Sequence, residues 1–224
     1  VLLSQELDVL RQGIDEGRRT FANTLKYVLT TTSANFGNMI SMAAATMVLP
    51  YLPLLASQVL LNNFLSDIPA TTIASDNVDR EWIERPHSWS MPFIRDYMVL
   101  FGLVSSVFDF MTFGALLYLF HASEEGFHTG WFIESLLTEL VIALVVRTRR
   151  VFFRSRPGKL LLAMSLVFIA ITIVLPYLPF TRVLGFVPLP APLMLAMVGL
   201  TALYVVAVEI AKRFFYSRVE RAEP

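Results

Sequence analysis

The stretch "VLLNNFLSDIPATTIA", residues 59–74, has the apolar composition of a membrane helix but carries a carboxylate, Asp67, in its middle. A charged side chain at the bilayer centre costs at least about 2.5–3.5 kcal/mol on insertion scales, so such an acid is expected to be paired or functional. The whole chain is apolar, with 55% hydrophobic and only 16% charged residues among its 224, and a mean hydropathy of +0.61. Soluble domains average about 25% charged residues, so the composition indicates an integral membrane protein.

The groups around Asp67 indicate a cation site. Pro69 removes a backbone donor, and we expect the helix to kink or unwind around residues 65–69 and to expose carbonyl oxygens. Asn63 lies one helical turn before Asp67 on the same face, and Ser66 is adjacent to it. Carboxylate, amide, hydroxyl and carbonyl oxygens are the ligands of hard cations such as Mg²⁺, Ca²⁺ and Na⁺. The alternative is a structural role, as a cap or in hydrogen bonding between helices.

Apolar blocks recur along the chain at about the 20-residue length that spans a bilayer, which predicts an all-α, polytopic membrane protein. We expect six transmembrane helices, at roughly residues 25–50, 54–74, 94–120, 128–147, 159–179 and 188–211. Residues 2–19 are typical of a short amphipathic helix that leads into the first of them. The predicted parts of the chain are a cytoplasmic lead-in or stalk helix (1–24), a six-helix transmembrane cation-transport domain (25–216) and a cytoplasmic C-terminal tail (217–224).

The distribution of lysine and arginine predicts the orientation of these helices. With six spans, both termini and the loops at 75–93 and 147–158 fall on one side, together with 17 of the 18 cationic residues. The opposite side holds only Arg182 and an acidic loop, which we expect to be solvated together with His121 and His128. Because cytoplasmic loops of membrane proteins are rich in lysine and arginine, both termini are expected to be cytoplasmic.

Two asparagines in the first predicted span are candidate partners for Asp67. Asn35 and Asn38 lie three residues apart, on one helix face, within a run of small residues that includes Gly37. Their amide oxygens can act as neutral cation ligands. Small residues also let helices approach closely, and this alone is enough to explain the run.

Four further acids fall within the predicted spans. Glu139, in the fourth span, is a candidate ligand. Asp109, in the third, is equally consistent with transport and with a structural role between helices, because nearby serines can satisfy its carboxylate. Glu134 is expected nearer the outer surface, where it lines an entrance or is solvated. Glu209 is expected to form an interfacial ion pair with the basic residues that follow it.

Several functions are excluded by what the sequence lacks. Without cysteine it can form neither a disulfide nor a thiolate metal site. It contains no Walker A loop, no other glycine-rich phosphate cradle and no nucleophilic triad, so we expect no catalytic or cofactor-binding residue in this chain. We also expect no nucleic-acid partner. The chain begins at Val1 without a signal-peptide core, which is typical of a fragment or a processed chain.

Several segments together resemble one family. The pattern Asn63–Asp67 resembles the Asn-x-x-Thr-Asp signature of the sixth membrane helix of cation-pumping P-type ATPases. The segment "SANFGN", Ser33–Asn38, resembles the fifth helix of that family, which begins with a stalk such as "EGRRTFANTLKY". With "DNVD", "SSVFD" and "RTRR", these segments are most similar to the bacterial magnesium-importing P-type ATPases. The resemblance covers essentially the whole chain.

The resemblance implies that the chain is the C-terminal half of a pump's membrane domain, helices five to ten. It implies Mg²⁺ as the transported ion, with ATP used only by phosphorylation and nucleotide-binding domains that lie outside this sequence. The implied partners are the lipid bilayer, the cation, and the missing N-terminal helices and cytoplasmic domains of the same pump. The implied location is the inner (plasma) membrane of a bacterium. The candidate metal ligands are then Asp67, Asn63, Asn38, Asn35, Ser66, Glu139 and Asp109.

One departure from the family pattern bears on the ion. Asn38 stands where calcium pumps carry a glutamate, and an amide in place of a carboxylate lowers the charge of the site. This suits Mg²⁺, which keeps several of its waters and binds one or two carboxylates. The segment "SDIPAT" is closer to the calcium-pump pattern, so pumps for Ca²⁺, Na⁺ or H⁺ stay open. A stand-alone membrane carrier, channel or assembly protein also stays open.

Overall fold

The computed structural model describes residues 7–84 and 86–222, the last three of them as backbone only, and the regular structure in these ranges is all helical. This confirms the all-α prediction. The α-helices are α1 (Leu7–Val48), α2 (Ala56–Thr71), α3 (Arg80–Glu84), α4 (Met91–Gly114), α5 (Glu124–Val146), α6 (Lys159–Val174) and α7 (Ala191–Ala222). Three groups that the sequence predictions used lie outside the described part: residues 1–6, Arg85, and the side chain of Arg221.

Four of the described helices are long and apolar enough to cross a membrane. They are α4 with the π-helical turn Ala115–Leu119, α5, α6 with the 3₁₀ turn Leu175–Tyr177, and α7. These helices match the third to sixth predicted spans. The helices at the first two predicted spans do not reach that standard, because α1 is rich in polar side chains and α2 has only 16 residues. The membrane character of the chain therefore rests on four helices, and six crossings stay a prediction.

The predicted lead-in segment and the first predicted span form one uninterrupted helix. α1 has 42 residues and is therefore about 63 Å long at 1.5 Å per residue. The apolar side chains at its beginning, among them Leu7 and Ile14, are exposed. The boundaries predicted after residues 24 and 216 fall inside α1 and α7, so continuous helices join the three predicted parts of the chain.

The backbone around Pro69 differs from the prediction. α2 continues through Pro69 to Thr71 and only then tightens into the 3₁₀ turn Thr72–Ser75, so the unwinding predicted around residues 65–69 is wrong. A proline this close to a helix end removes one hydrogen bond, the one to the carbonyl four residues earlier, and the ladder around it survives. The site therefore gains at most one freed carbonyl, and its other oxygens must come from side chains.

The centre of the fold is α5, which packs against α1, α2, α4, α6 and α7. Large side chains along it, such as Phe127, Trp131 and Leu136, are at most 1% exposed. Every residue from 126 to 138 of α5 is buried, so polar groups in this interior part of the helix face other helices and not lipid. An acid there must find its partners among the neighbouring helices.

The helix α5 begins earlier than predicted, at Glu124, where the Ser123 side chain accepts a hydrogen bond from the Gly126 amide. His128 therefore lies inside the helix and is 3% exposed, with its Nε2 atom 2.6 Å from the carbonyl oxygen of Leu52. The prediction that His128 is solvated is wrong, since the cap shortens the outer loop. His121 is exposed, as predicted.

The small residues predicted to allow close packing lie where α1 meets α4. A Cβ atom added at Gly37 would lie 2.9 Å from the carbonyl oxygen of Gly102 and 2.9 Å from the Cβ of Ser105. The Ser106 hydroxyl donates to the Gly37 carbonyl at 3.1 Å. The two backbones are therefore in near contact, which fixes the height of the polar face of α1 against its neighbours.

We expect Gly37→Ala to lower the free energy of unfolding by about 1–3 kcal/mol, because the added methyl group meets backbone and has no room to relax. The matched control is Gly17→Ala in the same helix, where nothing lies within 4 Å of the added atom. That change should stabilise by about 0.5–1 kcal/mol through helix propensity. Denaturant titration of the purified protein in micelles measures both, and equal effects would contradict the close contact.

Candidate cation-binding site

Three helices meet at the carboxylate of Glu139. It accepts a hydrogen bond from Asn38 on α1 and another from Asn62 on α2, with 3.4 Å between the Asn62 Nδ2 and Glu139 Oε2 atoms. Ser135, one turn earlier on α5, donates to the amide oxygen of Asn38 at 3.3 Å. The hydroxyl of Ser66 on α2 also interacts with this carboxylate. The structure thus brings together three of the predicted site residues, one from each helix.

A small cavity lies beside this junction, between α1, α2 and α5. Its walls include four predicted ligands: Asn35, Ser66, Asp67 and Glu139. Its volume is about 30 Å³, above the roughly 10–15 Å³ that a cavity needs to hold one water molecule. The space is therefore large enough for a small ion or a water molecule, and all four side chains contain oxygen atoms.

The polar residue of α2 that faces the inside of the helix bundle is not the one that the sequence predicted. Asn63 and Asp67 are exposed, and Asn62 is 4% exposed. Asn62, which the sequence reasoning did not select, is the amide that reaches Glu139. Neighbouring residues on a helix point about 100° apart, so the pair Asn62 and Asn63 does not by itself reveal which one faces inward. A signal that favours Asn62 is the acid on α5, Glu139, which needs a hydrogen-bond donor from a neighbouring helix.

Asp109 lies in a separate polar cluster. Ser41 on α1 donates to its Oδ2 atom at 2.6 Å, and the Trp131 indole on α5 donates to Oδ1 at 2.8 Å. Asp109 is 1% exposed and does not line the cavity, and its contacts fit the structural alternative. The carboxyl group of Glu134 interacts with it and is also 1% exposed. The prediction that Glu134 is solvated or lines an entrance is wrong, because it lies within the stretch 126–138 of α5, where every residue is buried.

A second group of charges lies nearer the start of α1, and we call it the Asp76 cluster. The carboxylate of Asp76 accepts from Lys26 on α1 at 2.7 Å and from Arg147 after α5 at 3.3 Å. It also accepts from the backbone amide of Gly158 at 2.7 Å. All three charged side chains are at most 7% exposed. The Asp76 cluster therefore ties α1, the segment after α2 and the segment after α5 to one another.

Two further ion pairs lie beside the Asp76 cluster. Glu209 on α7 pairs with Lys212 at 2.7 Å, which confirms the ion pair predicted for Glu209. Glu81 on α3 forms an exposed pair with Arg150, and hydrogen bonding to that carboxylate raises the pKa of the Arg150 guanidinium. The buried pair links α7 to the end of α5 because Lys212 also donates to the carbonyl of Val145.

The chemistry of the cavity is that of a weakly charged oxygen site. Within residues 7–84 and 86–222, no group of three or more histidine, cysteine or acidic side chains gathers to hold a metal ion. The cavity instead has two carboxylates, from Asp67 and Glu139, beside amide and hydroxyl groups. A hard cation that keeps part of its water shell can use such a set, whereas a fully dehydrated Ca²⁺ needs six to eight oxygen ligands.

The fold and the site together define a helical, multi-pass membrane protein with a polar, oxygen-lined cavity between three helices. Residues 51–214 match the family described as "Cation transporting ATPase, C-terminus". The chain belongs to this family, as the C-terminal membrane region of a cation-transporting P-type ATPase. The resemblance drawn from the sequence motifs is thereby confirmed.

Relatives in bacteria match almost the entire chain. The "Magnesium-transporting ATPase, P-type 1" of Escherichia coli K12 is 38% identical over 223 residues, which are 97% of this chain and 25% of the relative. The protein of the same name in Salmonella typhimurium LT2 is 37% identical over the same shares. A putative cation-transporting ATPase of Methanocaldococcus jannaschii is 28% identical over 162 residues, 72% of this chain and 20% of its own length. The chain spans about a quarter of the length of the bacterial relatives.

Proposed function

We propose that this chain is the cation-binding half of the membrane domain of a Mg²⁺-transporting P-type ATPase. The observation that carries the proposal is the cavity lined by Asn35, Ser66, Asp67 and Glu139 in a chain of this family. The names of the bacterial relatives support Mg²⁺ as the transported ion. ATP hydrolysis belongs to the phosphorylation and nucleotide-binding domains of the same pump, outside residues 1–224.

In this proposal each residue has a defined role toward the transported ion. Asp67 binds the cation directly or through its water, and Glu139 supplies the second carboxylate from α5. Ser66 and the exposed Asn35 and Asn63 provide neutral oxygens. Asn38 holds Glu139 by its hydrogen bond and releases it, or turns its own oxygen inward, when the ion enters. Two carboxylates and a partly retained water shell match the coordination that Mg²⁺ prefers.

The proposal includes the arrangement of the chain in the membrane. α1 and α2 cross together with the four apolar helices, which gives six crossings and cytoplasmic termini, in the inner membrane of a bacterium. Polar residues on α1 and α2 are compatible with a membrane crossing, because Asn38 of α1 and Asn62 of α2 both donate to Glu139 of α5. We keep residues 25–216 as the transmembrane transport domain, with 1–24 and 217–224 on its cytoplasmic side. The exposed face with Asn63 and Asp67 would then meet the N-terminal helices of the pump.

Asp67→Asn is expected to weaken the apparent affinity for the transported cation about tenfold or more, since it removes one of two carboxylate charges from the cavity. The measurement uses the protein with its native flanking sequence, purified into proteoliposomes that enclose a Mg²⁺-sensitive dye, with flux started by ATP. Parallel series with Ca²⁺, Na⁺ and K⁺ determine the ion. We measure flux and not ATP hydrolysis, because hydrolysis requires Mg²⁺ bound to ATP and therefore depends on Mg²⁺ even when Mg²⁺ is not transported.

The control for this experiment is Asp8→Asn, which removes an exposed carboxylate at the start of α1, far along the helix from the cavity. Its flux curve should match that of the unchanged protein. If Asp67→Asn and Asp67→Ala both leave the concentration dependence unchanged for every ion, Asp67 is not a ligand. ATP-driven flux of a different ion, with none of Mg²⁺, would keep the site and overturn the proposed substrate.

A further inference from the structure

A groove unrelated to the cation site lies elsewhere in the described part of the chain. Its volume is about 1140 Å³, and it lies where the start of α4 meets the end of α7, beside α3. These two helix ends are held together by aromatic contacts, with ring centroids of Phe93 and Phe215 5.3 Å apart. Because α4 and α7 are both candidate membrane spans, the groove lies at one end of the helix bundle, where a membrane helix meets the headgroup region.

The polar end of the groove is positively charged. Its lining includes three arginines, Arg95, Arg149 and Arg218, and one acid, Asp96. Arg95 and Arg218 are exposed, and the Arg95 guanidinium also donates to the Asp96 carboxylate, with 2.8 Å between its Nη2 and Asp96 Oδ1. Arg149 is held by two aromatic rings, with its guanidinium carbon 4.7 Å from the centroid of Trp82 and 5.0 Å from that of Tyr216. Among the described groups, its buried Nε atom has no hydrogen-bond partner.

The other end of the groove is apolar and runs along the membrane-spanning part of α4. Val99, Leu100 and Leu103 line it there, one to two turns beyond Arg95, and Phe214 of α7 faces it from the other side. Leu103 is 48% exposed and Phe214 is 71% exposed. A soluble anion such as phosphate would occupy only the arginine end and would leave this apolar wall uncovered. A ligand that fills the groove needs an anionic head and a hydrocarbon tail.

We propose that this groove binds one anionic phospholipid. The phosphate lies among Arg95, Arg149 and Arg218, and one acyl chain lies along Val99 and Leu103. Basic pockets between membrane helices bind anionic lipid headgroups by this combination of charge and burial. The three arginines outnumber Asp96, so a headgroup with net negative charge is favoured over a zwitterionic one. The proposal is independent of the transported ion.

The test compares lipid binding to the purified protein, with its native flanking sequence, by native mass spectrometry from detergent micelles. The lipids are phosphatidylglycerol and phosphatidylcholine with the same acyl chains, and inorganic phosphate is tested separately. The variant Arg95→Gln/Arg218→Gln removes two exposed charges and keeps Arg149, whose ring contacts hold the fold. It should bind phosphatidylglycerol about 30-fold more weakly. This corresponds to about 1 kcal/mol of binding free energy for each basic residue near a lipid surface.

Two matched variants make the result specific. Arg154→Gln/Arg213→Gln removes two exposed charges that do not line the groove, and its affinity for phosphatidylglycerol should stay unchanged. Leu103→Gln leaves every charge in place and should still weaken lipid binding, because it places a polar group in the apolar part of the groove. The proposal is overturned if phosphatidylcholine binds as tightly as phosphatidylglycerol, or if both arginine double variants behave alike. It is also overturned if Leu103→Gln has no effect while inorganic phosphate binds as well as the lipid.

Discussion

Asp76→Ala is expected to lower the free energy of unfolding by about 3–5 kcal/mol. The carboxylate is the shared partner of Lys26 and Arg147, and its removal leaves two cations in a site where every charged side chain is at most 7% exposed. The amide of Gly158 loses its acceptor at the same time. A buried charge without a partner cannot be hydrated, so the loss exceeds that of an ordinary hydrogen bond. Denaturant titration of the protein in micelles, followed by circular dichroism, measures the change.

The control for Asp76 is Glu81→Ala, which breaks the exposed pair with Arg150 in the same part of the molecule. Exposed ion pairs contribute little, because water and salt screen them, so this variant should unfold almost as the unchanged protein does. Asp76→Asn should fall between the two, since the amide can still accept from Gly158 but does not neutralise the cations. Equal stability of the alanine variants at 76 and 81 would show that the Asp76 cluster does not hold these segments together.

Glu139→Gln is expected to weaken apparent cation affinity by about 10–100-fold while the protein stays folded. The amide oxygen can still accept a hydrogen bond from Asn38 or Asn62, but the second negative charge of the cavity is lost. Glu139→Ala is expected to lose flux as well and also to cost stability, because it removes the acceptor of the buried Asn62 amide and of the partly buried Asn38 amide. The flux assay described for Asp67, paired with an unfolding curve, separates the two effects.

The control for Glu139 is Glu134→Gln, a matched change on the same helix at a buried carboxyl that does not line the cavity. Its apparent cation affinity should stay within about threefold of the unchanged protein, a shift well below the effect expected at Glu139. If the two glutamine variants shift the affinity equally, the ion does not bind in the cavity between α1, α2 and α5. If neither shifts it, the polar groups on α5 serve helix packing alone.

Helix positions and helix phase were not equally predictable from the sequence. Long apolar runs place α4 to α7 because hydropathy over about 20 residues is a local property. Spacing within one helix also selected Asn38 and Ser66, which the structure brings to Glu139. The choice between Asn62 and Asn63 depends on the rotation of α2 about its own axis. Packing against α5 sets this rotation, and the identity of the two residues does not predict it.

Contacts between distant segments escaped the sequence reasoning altogether. Asp76 was noted only as part of a motif, and its partners lie 50 and 71 residues away along the chain. Lys26 and Arg147 were counted as two cations among many, since charge alone does not distinguish a buried pair from a solvated one. The burial of His128 likewise depends on the cap at Ser123, which shortens a loop that composition describes as polar.

The uninterrupted course of α1 has a mechanical consequence. The helix is gripped at Lys26, about 28 Å from Leu7 and about 18 Å from Asn38 at 1.5 Å per residue. A rigid rod that tilts about that grip moves its two ends in opposite directions, in proportion to the lengths of the two arms. A displacement of the Leu7 end would therefore move Asn38 in the opposite direction by about two thirds of that distance. The pivot would be the contact of Lys26 with Asp76.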